Sequence, residues 1–399
     1  MSPVRGPIAA GSPDFRRINR AMAFGGFSVF ALLYCVQPLM PLLAQDFSLT
    51  PAQSSLALSV STATLAVALL GSGGLAERIG RKQLMVASMA GGALLTLLSS
   101  FAFDYTQLVA ARALLGLVLG GLPAVAMAYL SDEIDGASLG RSMGMYISGS
   151  AFGGMSGRVL SSVISDFVSW RIALGLLGAA GLVAAWEFSR SLPPSRHAGA
   201  QRTKGPGFLD GLRTHLRDEG LPWLFVLPFL LMGCFVSLYN YISYRLLAPP
   251  FGLSQSAVGA VSLLYLLGMF SSMWAGKLAD RLGRRNVLWL FIAVMIAGLL
   301  VTLHESVAAI VLGTGLATFG FFAAHSVASS WVGRRARPPQ ALASGIYLFS
   351  YYVGSSVVGW FIGHVWEHRG WPGVIAALGA LLGVAIGIAL RLRRLAPVR

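Results

Sequence analysis

Charge is what this sequence has least of. Only 11% of its 399 residues are Asp, Glu, Lys or Arg, whereas 55% are apolar, and mean hydropathy is +0.70. Soluble domains carry about 25% charged residues, so this chain cannot cover a globule with solvated side chains. Cysteine is nearly missing too. Cys35 and Cys234 form no disulfide framework and no metal-ligand spacing, so no metal site is expected. No Gly-x-x-x-x-Gly-Lys-Ser/Thr stretch occurs, which argues against ATP hydrolysis within the chain. No nucleophile–base constellation sits within an apolar run, so neither an enzyme nor a cofactor is expected.

What is present is grease in long runs. A membrane-spanning helix needs roughly 20 predominantly apolar residues. Twelve such runs occur, at 21–43, 53–75, 84–103, 105–130, 141–165, 170–190, 221–244, 255–279, 287–303, 306–331, 340–363 and 371–391. They lack the period-two alternation of barrel strands and therefore read as helices. The fold class expected is an all-α membrane protein. The first run is too long for a signal-peptide core, and QPLMPLLAQDF at its end lacks a small-residue cleavage pattern.

The sparse charge is also unevenly placed. With both termini in the cytoplasm, 25 of the 30 Lys and Arg fall on that side. Arg171, Arg245 and Arg369 fall outside, and Arg112 and Arg158 lie within the runs. That asymmetry is the positive-inside pattern, and it accounts for the net charge of +15 without a nucleic-acid partner. The expected location is a bacterial inner (plasma) membrane, multi-pass, with the lipid bilayer as surroundings.

One long polar stretch, residues 191–220, separates six runs from six. Its Pro, Gly and charge content marks a cytoplasmic linker, with a surface helix around Phe208–Asp218. The expected organisation is a tail at 1–20, a six-helix bundle at 21–190, the linker, a second bundle at 221–391, and a tail at 392–399. The second run of each half ends in nearly the same ten residues: GGLAERIGRK, Gly73–Lys82, and GKLADRLGRR, Gly276–Arg285. The chain is therefore an internal repeat on the scale of a domain, and the even number of spans makes the halves parallel.

Gly-x-x-x-Asp-Arg-x-Gly-Arg-Arg after the second span resembles the signature of the major facilitator superfamily. The second copy meets it with Gly276, Asp280, Arg281, Gly283, Arg284 and Arg285; the first matches at Gly73, Arg78, Gly80, Arg81 and Lys82, with Glu77 in place of Asp. The resemblance implies two pseudo-symmetric six-helix bundles, a small-molecule substrate, and a cavity lined by all spans except three, six, nine and twelve. Polar residues at depth avoid those four spans here as well.

The repeated stretch also has a physical reading. Gly80 and Gly283 permit a tight, positive-φ turn between antiparallel spans. Gly73 and Gly276 are expected to let a neighbouring helix approach closely. Glu77 and Asp280 lie at the membrane edge, where each can pair with arginine or face a helix N-terminus. Asp132 and Glu133 are candidate partners for Arg78 or Arg81, and Arg334 and Arg335 for Asp280. Such pairs form a latch on the cytoplasmic side.

Within the spans, Arg112 lies eight residues after Asp104, about 12 Å deep at about 1.5 Å per residue. Arg158, eight residues before Asp166, reaches a similar depth. A central Arg costs roughly 2.5–3.5 kcal/mol on insertion scales, so each should face a wet cavity or a partner. Gln37 is near enough in depth to accept from either. Arg112, in RALLGLVLGG, resembles the buried fourth-span arginine of the family, which is linked to proton coupling in drug antiporters. The other reading is a structural arginine bonded to a span one kinked at Pro38 and Pro41.

Span five reads GSAFGGMSGR, and its Gly149, Gly153 and Gly157 stack on one helical face for close packing. The stretch resembles the Gly-x-x-x-Gly-Pro-x-x-Gly-Gly motif of the drug:proton antiporter (DHA1-like) branch. Gly154 stands for its proline and Arg158 for its last glycine, a variant more like the YnfM-type efflux carriers. No carboxylate lies at depth, whereas two arginines do, which suits an anion or a polar neutral solute. His325 is the one deep group with a near-neutral reference pKa and is the candidate proton carrier. Tyr34, Tyr239, Asn240, Tyr265, Tyr347 and Tyr351 are candidate cavity residues, with core packing as the competing role for each.

The expected function is proton-coupled efflux of a small organic solute by alternating access. The alternatives are uptake or uniport of a polar or anionic solute, or a membrane sensor that has lost transport. Nothing in the sequence requires more than a monomer.

Overall fold

The structure is a computed structural model that describes residues 8–195 and 208–395. Residues 1–7 of the expected tail, 196–207 of the linker and 396–399 of the C-terminal tail lie outside the described residues.

Among the described residues, ten helices are long and apolar enough to cross a membrane. One of them, Gln340–Arg393, breaks at Gly370 (φ 57°, ψ −158°), a conformation open to glycine, and so supplies spans eleven and twelve. Span five, Gly136–Phe167, is 32 residues long but diluted in apolarity by glycine, serine and arginine. With it, each of the twelve expected spans has its helix.

Boundaries follow local chemistry. Span one starts at Pro13, earlier than hydropathy suggests, because the Ser12 side chain caps Phe15 N–H with proline in the first turn. Asp104, Asp135, Ser169 and Ser254 cap spans four, five, six and eight in the same way. Span one stops at Tyr34, tightens into a 3-10 turn over Gln37–Leu39 and resumes at Met40–Asp46. Pro38 and Pro41 lie at that break, where proline removes a backbone donor. Span eight carries a like interruption, Gln255–Ala260, then a 3-10 turn at Val261–Leu264, then Tyr265–Leu282. Span four divides at Gly120 into Tyr105–Leu119 and Gly121–Glu133.

Spans one and seven are the most enclosed, with 78% of their apolar windows buried, against 33% for span six and 39% for span nine. The first span of each half is thus its most enclosed. In the first half, Gly149, Gly153 and Gly157 sit directly on the backbone of span one at Ala23, Phe27 and Ala31. Four-residue steps on both helices keep the two ridges in register, as the glycine stack implies. A side chain at any of the three glycines would enter that backbone.

The chain divides into two compact units. One contains the described residues up to Leu42 and from Val60 to the start of the linker; the other contains Leu43–Ser59 and the described residues beyond the linker. The partition departs from the expected bundles of 21–190 and 221–391 in one respect. The C-terminal end of span one and the first third of span two pack as part of the second unit. In the first unit, Ile8 makes a short parallel bridge, donating N–H to Glu133 O (2.8 Å) and accepting from Asp135 N–H (3.2 Å).

Candidate substrate and proton site

The first unit holds both deep arginines. Arg158 is 2% exposed. Its Nε donates to Gln37 Oε1 (2.5 Å), its Nη1 to Gly154 O (2.7 Å), and its guanidinium lies 4.1 Å from the Tyr34 ring centroid. The break in span one is what turns Gln37 inward, since Gln37 opens the 3-10 turn. The two departures from the antiporter motif meet here. A Cβ at Gly154 would lie 3.3 Å from Arg158 Nη1, so glycine at 154 leaves room for the guanidinium that replaces glycine at 158.

Arg112 has a different seat. It is fully buried and donates to Leu32 O (3.0 Å) and Leu33 O (2.5 Å), beside the Cys35 thiol. Those carbonyls belong to the last turn of span one before its break, where helical carbonyls lack intrahelical donors. Arg112 thus caps the last turn of span one before its break, and Gln37 accepts from Arg158. Ser61 Oγ donates to Arg112 O (2.9 Å), tying span two to span four.

In the second unit the expected residues fall into one aromatic cluster. The Tyr347 hydroxyl is 2.9 Å from His325 Nδ1. The His325 ring lies near Phe321 and Tyr351, at centroid separations of 5.9 and 4.9 Å. Phe235 stacks on Phe321 at 3.9 Å and 5°, and Tyr239 and Tyr265 pack around it at 5.1 and 5.4 Å. The Tyr239 hydroxyl bonds Thr318 Oγ1 (2.8 Å). Asn240 is buried beside Gly359, away from the histidine. Phe235, Phe321, Phe322 and Thr318 were not among the candidates. The signal for them is helical spacing, since Phe235 and Tyr239, like Phe321 and His325, are four residues apart and share a face.

The repeated corners behave unequally. Gly80 and Gly283 have φ of 92° and 86°, as the turn requires. Gly73 and Gly276, by contrast, have nothing within 4 Å of where a Cβ would be, so the expected close helix approach is absent. Arg81 pairs with Asp132 and donates to Ala128 O (3.2 Å). Asp280 accepts from Arg284 (2.8 Å) and Arg334 (3.4 Å), and Arg284 also donates to Ser330 Oγ (3.0 Å). Among the described residues Glu77, Arg78 and Arg281 make no ion pair, because all three project from exposed faces of their helices. Glu133 is buried and accepts from Ser195 Oγ (2.8 Å). Arg335 turns to Asp218 (2.5 Å) rather than Asp280.

Asp218 also accepts from Gly220 and Leu221 N–H, both at 2.8 Å, and so caps span seven, Leu221–Leu247. Burial alone would raise its carboxyl, but the Arg335 hydrogen bond and the two amides hold it below the usual aspartate range.

An all-α chain of paired six-span halves, with two buried guanidiniums and a partly buried imidazole among its deep polar groups, has the makings of a membrane carrier. A family model described as the Major Facilitator Superfamily matches residues 22–340 and 241–399, and the chain belongs to that superfamily. It is 48% identical over 387 residues to the inner membrane transport protein YnfM of Escherichia coli, covering 97% of this chain and 93% of that one. It is 44% identical over 379 residues to the uncharacterized MFS-type transporter YybF of Bacillus subtilis, covering 95% and 94%. The crystal structure of the nucleoside transporter NupG superposes with a TM-score of 0.79 at 16% identity, over 94% of this chain and 99% of that one. At that identity the likeness concerns the fold alone. The protein is a multi-pass membrane transporter.

Proposed function

We propose that this transporter exports a small organic solute from the cytoplasm of a bacterium across the inner membrane, by alternating access and in exchange for protons. Both termini lie on the cytoplasmic side, where the basic loops collect. The observation that carries the reading is the seat of Arg158. A guanidinium buried to 2%, held by Gln37, Gly154 O and the Tyr34 face, is a fixed positive charge far from bulk water. With no carboxylate at depth, that charge favours an anionic substrate. The YnfM-like departure at 154 and 158 supports placing the chain beside the drug:proton antiporter branch. His325, bonded to Tyr347, is the group that carries the proton.

Uptake or uniport without proton coupling is the second reading, and the lack of any deep carboxylate favours it. One experiment separates the two. Purified carrier is first screened by thermal shift against organic anions, sugars and cationic drugs at two pH values. A stabilising solute is then added to proteoliposomes loaded with a pH dye. Exchange predicts a substrate-dependent change of internal pH, which His325→Ala abolishes while downhill flux persists. Flux with no pH change, or an unaltered pH response in His325→Ala, overturns the proton assignment.

A further inference from the structure

The strip Leu43–Ser59 is continuous with the first unit in sequence but packs with the second. Several of its contacts are polar. The Ser54 and Tyr244 hydroxyls share a hydrogen bond of 2.6 Å, and Ser356 Oγ donates to Ser59 O (2.6 Å). Tyr241 donates to Gly359 O (2.6 Å) and also bonds Ser55. Gly363 admits Ala52 so closely that a Cβ there would lie 2.5 Å from Ala52 Cα. Ser54, Ser55 and Ser59 are all buried, so a row of hydroxyls accompanies the buried Leu43, Ala52, Ala57 and Leu58 of the strip.

The end of the row is charged. Span two, Pro51–Ile79, begins with its own capping exchange: Thr50 N–H donates to Gln53 Oε1 (2.9 Å) and Gln53 N–H to Thr50 Oγ1 (3.2 Å). The next amide, Ala52 N–H, is satisfied from far along the chain by Glu367 Oε1 (2.9 Å), which the Thr50 side chain also reaches. A carboxylate at a helix N-terminus is stabilised by both the free amide and the helix dipole. Its other oxygen is 3.6 Å from His364 Nδ1, and His368 lies close enough to act on its charge. From span seven the Tyr241 and Tyr244 hydroxyls face it, and from the strip Thr50 and Ala52.

We infer that Glu367 is a proton-sensitive lock on the outer ends of the helices. As a carboxylate it pins the first turn of span two to the second unit; protonation from outside weakens the cap and lets the strip leave with the rest of its own half. This rests on the alternating-access reading above, since parting the halves at their outer ends requires the strip to peel away. Glu367 is not the transported proton's carrier. It sets how often the outer side opens, and acid outside favours opening.

The test uses spin labels at Gln45→Cys and Leu303→Cys, both exposed positions, in the full-length carrier in lipid nanodiscs. The native cysteines are buried and stay in place. Pulsed distance measurement should give a short separation from pH 8 down to pH 5 and a growing longer population towards pH 4, because against the opposing effect of burial the Thr50 and Ala52 hydrogen bonds hold the Glu367 carboxyl below the usual glutamate range. Glu367→Gln, which keeps an acceptor but no charge, should raise the long-to-short ratio about threefold to tenfold at pH 8 and flatten its pH dependence. His364→Gln/His368→Gln should keep the pH response. Tyr244→Phe, which removes the Ser54 bond, should raise the ratio while leaving the pH response intact. A Glu367→Gln ratio equal to wild type at both pH 8 and pH 4 overturns the lock, as does loss of the response in the histidine variant. A single short distance in every variant at every pH overturns the alternating-access reading itself.

Discussion

Replacing Asp218 should loosen the N-terminal end of span seven in a way that can be worked out beforehand. One carboxylate oxygen serves Gly220 N–H, Leu221 N–H and Arg335 Nε at once. Removing a helix cap costs about 0.5–2 kcal/mol. Leaving the Arg335 side chain, 8% exposed, without its charged acceptor costs about 1–3 kcal/mol more. Asp218→Ala should therefore lose about 2–4 kcal/mol, and Asp218→Asn, which keeps an oxygen acceptor, about 1 kcal/mol. At about 2.1 cal/mol/K of unfolding entropy per residue, the 399-residue chain shifts by about 1.2 °C per kcal/mol. The melting temperature should fall by about 2–5 °C in the alanine variant and about 1 °C in the asparagine variant. A thiol-reactive dye reads this directly, because Cys35 and Cys234 are both fully buried until the fold opens. The pH dependence has a definite sign. A carboxyl held below its ordinary value stabilises the fold above that value, about 3.9, and the contribution fades as pH falls through the lower folded value. By tryptophan fluorescence the gap between wild type and Asp218→Ala should be constant from pH 8 to 5 and close below about pH 4. Equal melting at pH 7, or a gap already gone at pH 6, refutes the cap.

Two glycine series test the packing. Gly153→Val and Gly157→Val should each destabilise by about 1–3 kcal/mol, since the new side chain enters the backbone at Phe27 or Ala31. Gly73→Ala, with open space around it, should shift melting by less than about 0.5 kcal/mol; a large loss there would restore the close helix approach that the structure lacks. Gly370→Ala should cost about 1–3 kcal/mol at its positive φ, and unaltered melting would show that the turn between spans eleven and twelve can relax.

The spans and their pairing into halves were legible because lipid leaves few options: long apolar runs must be helices, and one long polar stretch parts six from six. The start of span one was not, since Arg16, Arg17 and Arg20 hide a helix that a serine cap and a proline nucleate. Depth arithmetic brought Gln37 to the level of Arg158, and the structure joins them. The same arithmetic could not tell that Arg112 faces the carbonyls of a broken helix, because backbone acceptors leave no mark in a sequence. Nor could it pair His325 with Tyr347 across two spans. The transfer of Leu43–Ser59 to the second unit was hidden for a similar reason. It depends on Gly363 and Glu367, some 300 residues away, and on serines that read as ordinary span-two filler. The glycines at 73 and 276 misled because a motif position was read as a packing position.

The crowding between residues 154 and 158 couples what the two positions can hold. Any β-carbon at 154, proline's included, would press on a guanidinium that Gln37 and Tyr34 hold still. An arginine at 158 in this seat therefore favours glycine at 154, and any larger residue there requires the guanidinium to shift by a few tenths of an ångström.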